Sequence, residues 1–243
     1  MSRSRTVTPE LPSELGVQDG LAYSLWLPEN PRAGVVILHG AGSCKENHHD
    51  YARAALAADL AAVAFDQRGH GESEGPMDGR ALDDVVQIAS LLRSRIAGAG
   101  SDAPVALRGS SMGGYLALVS ARAARATAVV AVCPASAEGL RRGLAQGRFS
   151  FAADEPSLAA LLEAHDPRDA IASLDGVPVM LLHAEGDEQV PVEHSRELAG
   201  LMRSPRSRLI VVPGGHHRSV QHDPDLQAVS LRFLARELVA AES

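Results

Sequence analysis

The strongest constraint on the fold is a repeated alternation along the chain. Short, continuous apolar runs are separated by stretches with helical apolar spacing. The runs "AGVVILHG" (33–40), "AAVAFD" (61–66), "APVALRG" (103–109), "TAVVAVCP" (127–134), "GVPVMLLHAEGD" (176–187) and "SRLIVVPGG" (207–215) each read as a strand. An apolar run without polar alternation suits a strand buried on both faces. The segments 46–60, 79–98, 112–125, 191–202 and 224–238 read as helices. In 79–98 the apolar positions Leu82, Val85, Val86, Ile88, Ala89 and Leu92 share one helical face. Strand and helix in turn imply a mostly parallel, doubly wound sheet with helices on both faces, an α/β fold. "LAYSLWLPE" (21–29), after a turn at Gln18–Gly20, adds a strand near the sheet edge.

One stretch breaks the alternation. Residues 135–175 are charged and helix-prone, too long for a plain crossover and too small for a core of their own. They are expected to form a small helical cap over the C-terminal sheet edge, where open α/β folds bind ligands. Residues 1–13 are expected to be a flexible tail, and 14–243 a single domain.

Charge and cysteine content exclude several classes. With 30 acidic and 23 basic residues the net charge is -7, a poor match for nucleic acid, whose phosphates call for a basic face. No apolar run approaches the length of a membrane span. The N-terminal "MSRSRTVTPELPS" lacks the apolar stretch of a signal peptide. The two cysteines, Cys44 and Cys133, fall in a polar loop and a buried strand. They are read as free thiols in a reducing, cytoplasmic setting.

The chemistry gathers at strand ends. "RGSSMGG" joins a buried strand to an alanine-rich helix. A residue at the apex of a sharp strand-to-helix turn is pushed into the open, and the positions two before and two after it come close together. Gly109-Ser110-Ser111-Met112-Gly113 puts Ser111 at that apex. Ser110 at the apex would need small residues where Arg108 and Met112 stand. A serine hydroxyl is a weak nucleophile and needs a base oriented by a carboxylate. Asp187 follows one strand, with Glu185 and Glu188 as rivals; His216 and His217 follow another. The order Ser, Asp, His is that of the α/β-hydrolases.

The blocks "VVILHGAGSCKEN", "AFDQRGHGES", "RGSSMGGY", "HAEGDEQVP" and "GGHHR" resemble the α/β-hydrolase superfamily, in particular its small serine esterases and lipase-like members with a short cap. The resemblance spans roughly residues 20–240 and is loosest in the cap. It implies an oxyanion hole from the backbone N–H groups of Ala41 and Met112, and an acid at Asp187. A "G-x-H-R" pattern points to His217 as the base, while "P-G-G-H" points to His216. Asp66, Arg68 and His70 are implied to shape a loop. The expected activity is hydrolysis of a small carboxylic ester through an acyl-enzyme, with no metal or cofactor. Thioesterase, amidase or peptidase, and acyltransferase chemistry share the same machinery. A non-catalytic binding protein of this fold would be expected to lack a triad member, and none is missing.

Plainer readings stand beside these. His48-His49 is read as a surface pair at a helix start, and His194 as facing solvent, neither as a metal ligand. Arg141, Arg142 and Arg148 are read as a solvated face of the cap. Leu140, Leu144, Phe149 and Phe151 either line a substrate pocket or pack the cap onto the body.

Overall fold

The computed structural model describes residues 9–96 and 102–241. The first eight residues of the expected tail, and the last two of the expected helix 79–98, lie outside them. Eight strands form one sheet: β1 (Glu14–Gln18), β2 (Leu21–Trp26), β3 (Gly34–Leu38), β4 (Ala61–Phe65), β5 (Val105–Ser110), β6 (Val129–Val132), β7 (Val179–Ala184) and β8 (Arg208–Val212). Their order is β1-β2-β4-β3-β5-β6-β7-β8. β2 runs antiparallel to both β1 and β4, and the remaining pairs are parallel. Among the described residues eight α-helices accompany the sheet: α1 (His49–Leu56), α2 (Ala81–Arg95), α3 (Met112–Ser120), α4 (Ala137–Ala145), α5 (Glu155–Ala164), α6 (Pro167–Ala172), α7 (Val192–Leu201) and α8 (Pro224–Ala240). This is the α/β-hydrolase architecture.

The continuous apolar runs of β3 to β7 are buried on both sides because each strand feeds two cores, whereas β8, at the sheet edge, has Arg208 exposed and the rest half-buried. Val36 and Leu38 of β3 face the core shared with α2 and α3, while Val35 and Ile37 face the one shared with α1 and α8. Val129 and Ala131 of β6 oppose Val130 and Val132 in the same way. Successive side chains on a strand point to opposite faces, so alternation of polar and apolar residues would have left one core unfilled.

β1 shows why a pattern reading misses an edge strand. Its apolar Leu15 and Val17 are 71% and 64% exposed, while Glu14, Gly16 and Gln18 are half-buried. The alternation is inverted, and pairing with β2 fixes the strand instead. The pair His48-His49 is likewise not at the surface. His48 is 1% exposed, and half-buried His49 packs edge-on against Trp26 with centroids 4.6 Å apart. His194 is half-buried too, on α7.

Between β6 and β7 lie α4, α5 and α6, each starting with a side-chain cap, from Ser136, Asp154 and Asp166. Leu140, Leu144, Leu158, Leu161 and Leu162 join the core on the α2/α3 side. Backbone bonds tie the segment to the loop before α2: the Met77 amide donates to the Ala152 carbonyl at 2.8 Å and the Asp154 amide to the Met77 carbonyl at 2.9 Å. The Tyr115 hydroxyl donates to the His165 carbonyl at 2.8 Å. β3, β5, β7 and β8 are parallel and end at the same edge of the sheet, so their following loops meet there.

Candidate active site

Ser111 joins β5 to α3 with φ 53° and ψ -118°. A non-glycine residue in this region stores strain, on the order of 1–3 kcal/mol. The glycines on either side explain why the turn is tolerated. A Cβ on Gly109 would collide with the Gly113 carbonyl, and one on Gly113 with the carbonyls of Leu38 and His39. The turn therefore presses helix, strand and neighbouring strand into backbone contact that any side chain would block. The Ser111 amide donates to the Val132 carbonyl at 2.9 Å, which fixes the apex from β6. Ser110, by contrast, is 2% exposed within β5, and its hydroxyl has no partner among the described residues.

Across from the apex runs the loop after β3. Neither the Ala41 nor the Met112 amide donates to an acceptor among the described residues. Met112 opens α3, where first-turn amides are free by construction and the helix dipole favours negative charge. The Ala41 loop is held from beneath by the residues after β4. The Gly42 amide donates to His70 Nε2 at 3.1 Å. The Lys45 amide donates to Asp66 Oδ1 at 2.7 Å, and Lys45 Nζ to Asp66 Oδ2 at 2.8 Å. Arg68 instead pairs with Asp84 of α2 at 3.0 Å.

The loops after β7 and β8 bring Asp187 and His217 together, with Nδ1 to Oδ2 at 2.7 Å. His217 is 8% exposed, and the Asp187 side chain is fully shielded. The other Asp187 oxygen accepts the amides of Gln189 and Val190, each at 2.9 Å. Burial pushes the Asp187 carboxyl up, but hydrogen bonds from His183, His217 and the two amides outweigh it and hold it well below the usual carboxylate range. His216 is exposed and makes no contact with Asp187; its amide donates to Ser219 Oγ at 3.0 Å. Glu188 is exposed and accepts the His217 amide at 3.2 Å, and Glu185 points outward to Arg196 at 3.5 Å.

Two residues that sequence reasoning passed over complete this corner. His183, wholly buried at the end of β7, places Nε2 3.3 Å from Asp187 Oδ2 and 2.9 Å from the Val190 carbonyl. Its Nδ1 faces Ser195 Oγ at 2.7 Å. The signal is a histidine inside an apolar strand run four residues before an aspartate. Cys133 lies just after β6 with φ 44°. Cys133, Asp187 and His217 each offer a ligand atom, all within 4.8 Å of one another. A metal would need the thiolate, yet burial pushes the Cys133 thiol up to about 12. The aspartate and histidine are also already bonded to each other. The trio is a poor fit for a metal.

Ser111, Ala41 and His217 line one cleft of about 730 Å³. No hydrogen bond joins the Ser111 hydroxyl to His217 among the described residues, an arrangement common before substrate tightens a site. Leu140 and Phe149 line the cleft from the segment after β6. Phe151 does not; with Leu140, Phe149 and Met112 it closes on an apolar slot of about 10 Å³, room for no more than one water. Leu144 is packed into the core and lines neither space.

The sequence profile described as "Serine aminopeptidase, S33" matches residues 29–154, just over half of the chain. The chain belongs to this hydrolase family. The match takes in Ala41, Ser111 and Met112 and ends before Asp187 and His217. Monoacylglycerol lipase of Mycolicibacterium smegmatis is 27% identical over 253 residues, covering 86% of this chain and 89% of that one. The uncharacterized protein YfhR of Escherichia coli K12 is 26% identical over 221 residues, covering 84% and 72%. Among solved structures, Paleococcus ferrophilus monoacylglycerol lipase superposes with a TM-score of 0.66 at 21% identity, over 91% of this hydrolase and 99% of that chain. Among the described residues of this S33 hydrolase, no helix is long and apolar enough to cross a membrane.

Proposed function

We propose that this hydrolase cleaves carboxylic esters through an acyl-enzyme. Ser111 attacks the carbonyl, and His217 takes its proton and later activates water for deacylation. Asp187 holds the imidazole and stabilises its cation. The Ala41 and Met112 amides receive the developing oxyanion. The observation that carries this reading is convergence. A buried Asp187–His217 pair and a strained Ser111 flanked by two unengaged amides share one cleft. No step calls for a metal or cofactor. The short cap reading of 135–175 fits, since Leu140 and Phe149 of this segment face the same cleft.

Relatives named monoacylglycerol lipases support an oxygen ester as the substrate. The family description, an aminopeptidase, favours amide cleavage as the second reading. The acyl-enzyme is common to both, and only the leaving group differs. A fluorophosphonate should label wild type and not Ser111→Ala. A p-nitrophenyl ester series should then show burst acylation. Labelling retained in Ser111→Ala would overturn the assignment.

A further inference from the structure

The cleft reverses the sign of the molecule that carries it. The chain has a net charge of -7. The charged side chains lining the cleft beside Ser111 and His217 are three arginines, Arg142, Arg148 and Arg218, and one carboxylate, Glu188. All three arginines are exposed. Arg142 meets only Glu138, at 3.8 Å with both side chains mostly in water, a pair worth little. Neither Arg148 nor Arg218 enters an ion pair among the described residues.

A fourth guanidinium lies just behind the wall. Arg108 of β5 is 1% exposed and pairs with no carboxylate among the described residues. It donates to the Gln221 carbonyl at 3.1 Å, faces His48 Nδ1 at 2.9 Å and stacks 4.6 Å from the Tyr51 ring centroid. Its Nε has no partner among the described residues. Arginine keeps its charge even when buried, and Gln221 itself lines the cleft. A buried cation with no direct carboxylate partner, opposed only at a distance by Asp50, adds to the positive field above it. A cleft lined by one sign of charge concentrates ligands of the other.

We infer that the cleft selects esters bearing a negatively charged group, a carboxylate or a phosphate, outside the reacting carbonyl. This rests on the serine-hydrolase reading and adds the substrate class to it. Arg142 and Arg148 sit on α4 and the loop after it, and Arg218 follows His217. The arginines therefore reach the cleft from two separate elements.

The test compares matched pairs. Monomethyl glutarate against methyl valerate places the charge on the acyl side as a carboxylate. Butyrylglycerol 3-phosphate against monobutyrin places it on the alcohol side as a phosphate. For at least one pair the anionic ester should show the higher kcat/KM, on the order of tenfold at low salt, and added salt should erode the ratio. In Arg142→Ala/Arg148→Ala the ratio should fall several-fold; in Arg141→Ala, outside the cleft lining, it should hold. Which pair shows the ratio identifies the source of the charge. Equal turnover in both pairs, or a ratio indifferent to salt and to the double substitution, overturns the inference. If no ester is turned over, the ester-cleaving reading fails instead. The inference is then decided by calorimetric binding of the same four compounds to Ser111→Ala: tighter binding of an anionic member supports it, and equal or weaker binding overturns it.

Discussion

The two walls of the cleft obey different rules. On the β5 side the backbone itself is the constraint, since Gly109 and Gly113 leave no room for a single carbon and Ser111 sits between them at φ 53°. On the α4 side, Arg142 and Arg148 are exposed and reach into water. One wall is fixed by steric exclusion before any substrate arrives. The other carries exposed arginines, above Leu140 and Phe149, that can be replaced without touching the core. On the proposed function, the contrast assigns reaction type to the packed wall and substrate choice to the exposed one.

The largest effect should come from the packed wall. Ser111→Ala is expected to lower kcat on a reactive ester by about 10⁶ with an unchanged thermal unfolding curve. Ser110→Ala should retain activity, because its hydroxyl is sealed in β5. Loss of activity in Ser110→Ala alone would put the apex one residue earlier and break the comparison at its root.

Next comes the base. His217→Ala should slow single-turnover acylation by about 10²–10⁴, and His216→Ala should leave it near wild type. Asp187 meets His217 and not its neighbour. The opposite pattern would mean that the loop after β8 rearranges when substrate enters.

A smaller effect tests how deep the packed wall extends. His183 lies on the far side of Asp187, anchored by Ser195 and the Val190 carbonyl. His183→Gln removes its contact with the carboxylate and frees Asp187 to shift. A misplacement of about 1 Å can cost on the order of 10²-fold. The loss should fall on kcat rather than KM. A purely structural role would lower the melting temperature and spare kcat in the folded fraction.

The same contrast accounts for what the sequence discloses. Strands β3 to β7 are legible because two cores demand unbroken apolar runs. Ser111 is legible because steric exclusion writes itself as glycines at fixed spacing. β1 is not, since its apolar residues face outward and pairing alone holds it. The choice between His216 and His217 stays open in the sequence because consecutive residues on a loop differ in direction and not in type. His48 reads as exposed, because its burial depends on Arg108, sixty residues away. The arginines of α4 read as a solvated face for lack of anything showing that Arg218 would converge on the same space. Contacts between residues distant in sequence and carried on loops leave no periodic trace.

The smallest effect expected is a slope in stability with pH, from the loop that supports the Ala41 amide. His39, at the end of β3, is 1% exposed. Its Nε2 accepts the Gln67 amide at 3.0 Å, and its Nδ1 lies 2.8 Å from the Gly40 carbonyl. Only the neutral ring with its proton on Nδ1 satisfies both, because a second proton would point at an N–H group. Burial is the main cause and nearby His70 adds to it, while the Gly40 carbonyl, Asp66 and Glu46 oppose them. Together they bring His39 down to about 4. The unfolded chain takes up this proton near pH 6.5 and the native protein does not, so stability is full above that pH. It is lost as pH falls from about 6.5 toward 4, at up to about 1.4 kcal/mol per pH unit. Carboxylates such as Asp187 add acid sensitivity lower down, so wild type alone does not isolate the histidine. Urea unfolding of wild type and His39→Gln at about pH 7 and pH 5 does. The His39→Gln variant should be less stable than wild type at the higher pH, and the gap should narrow by about 2 kcal/mol at the lower one. A gap that stays constant would mean that His39 titrates alike in both states, and that the loop beside the packed wall tolerates a charged ring.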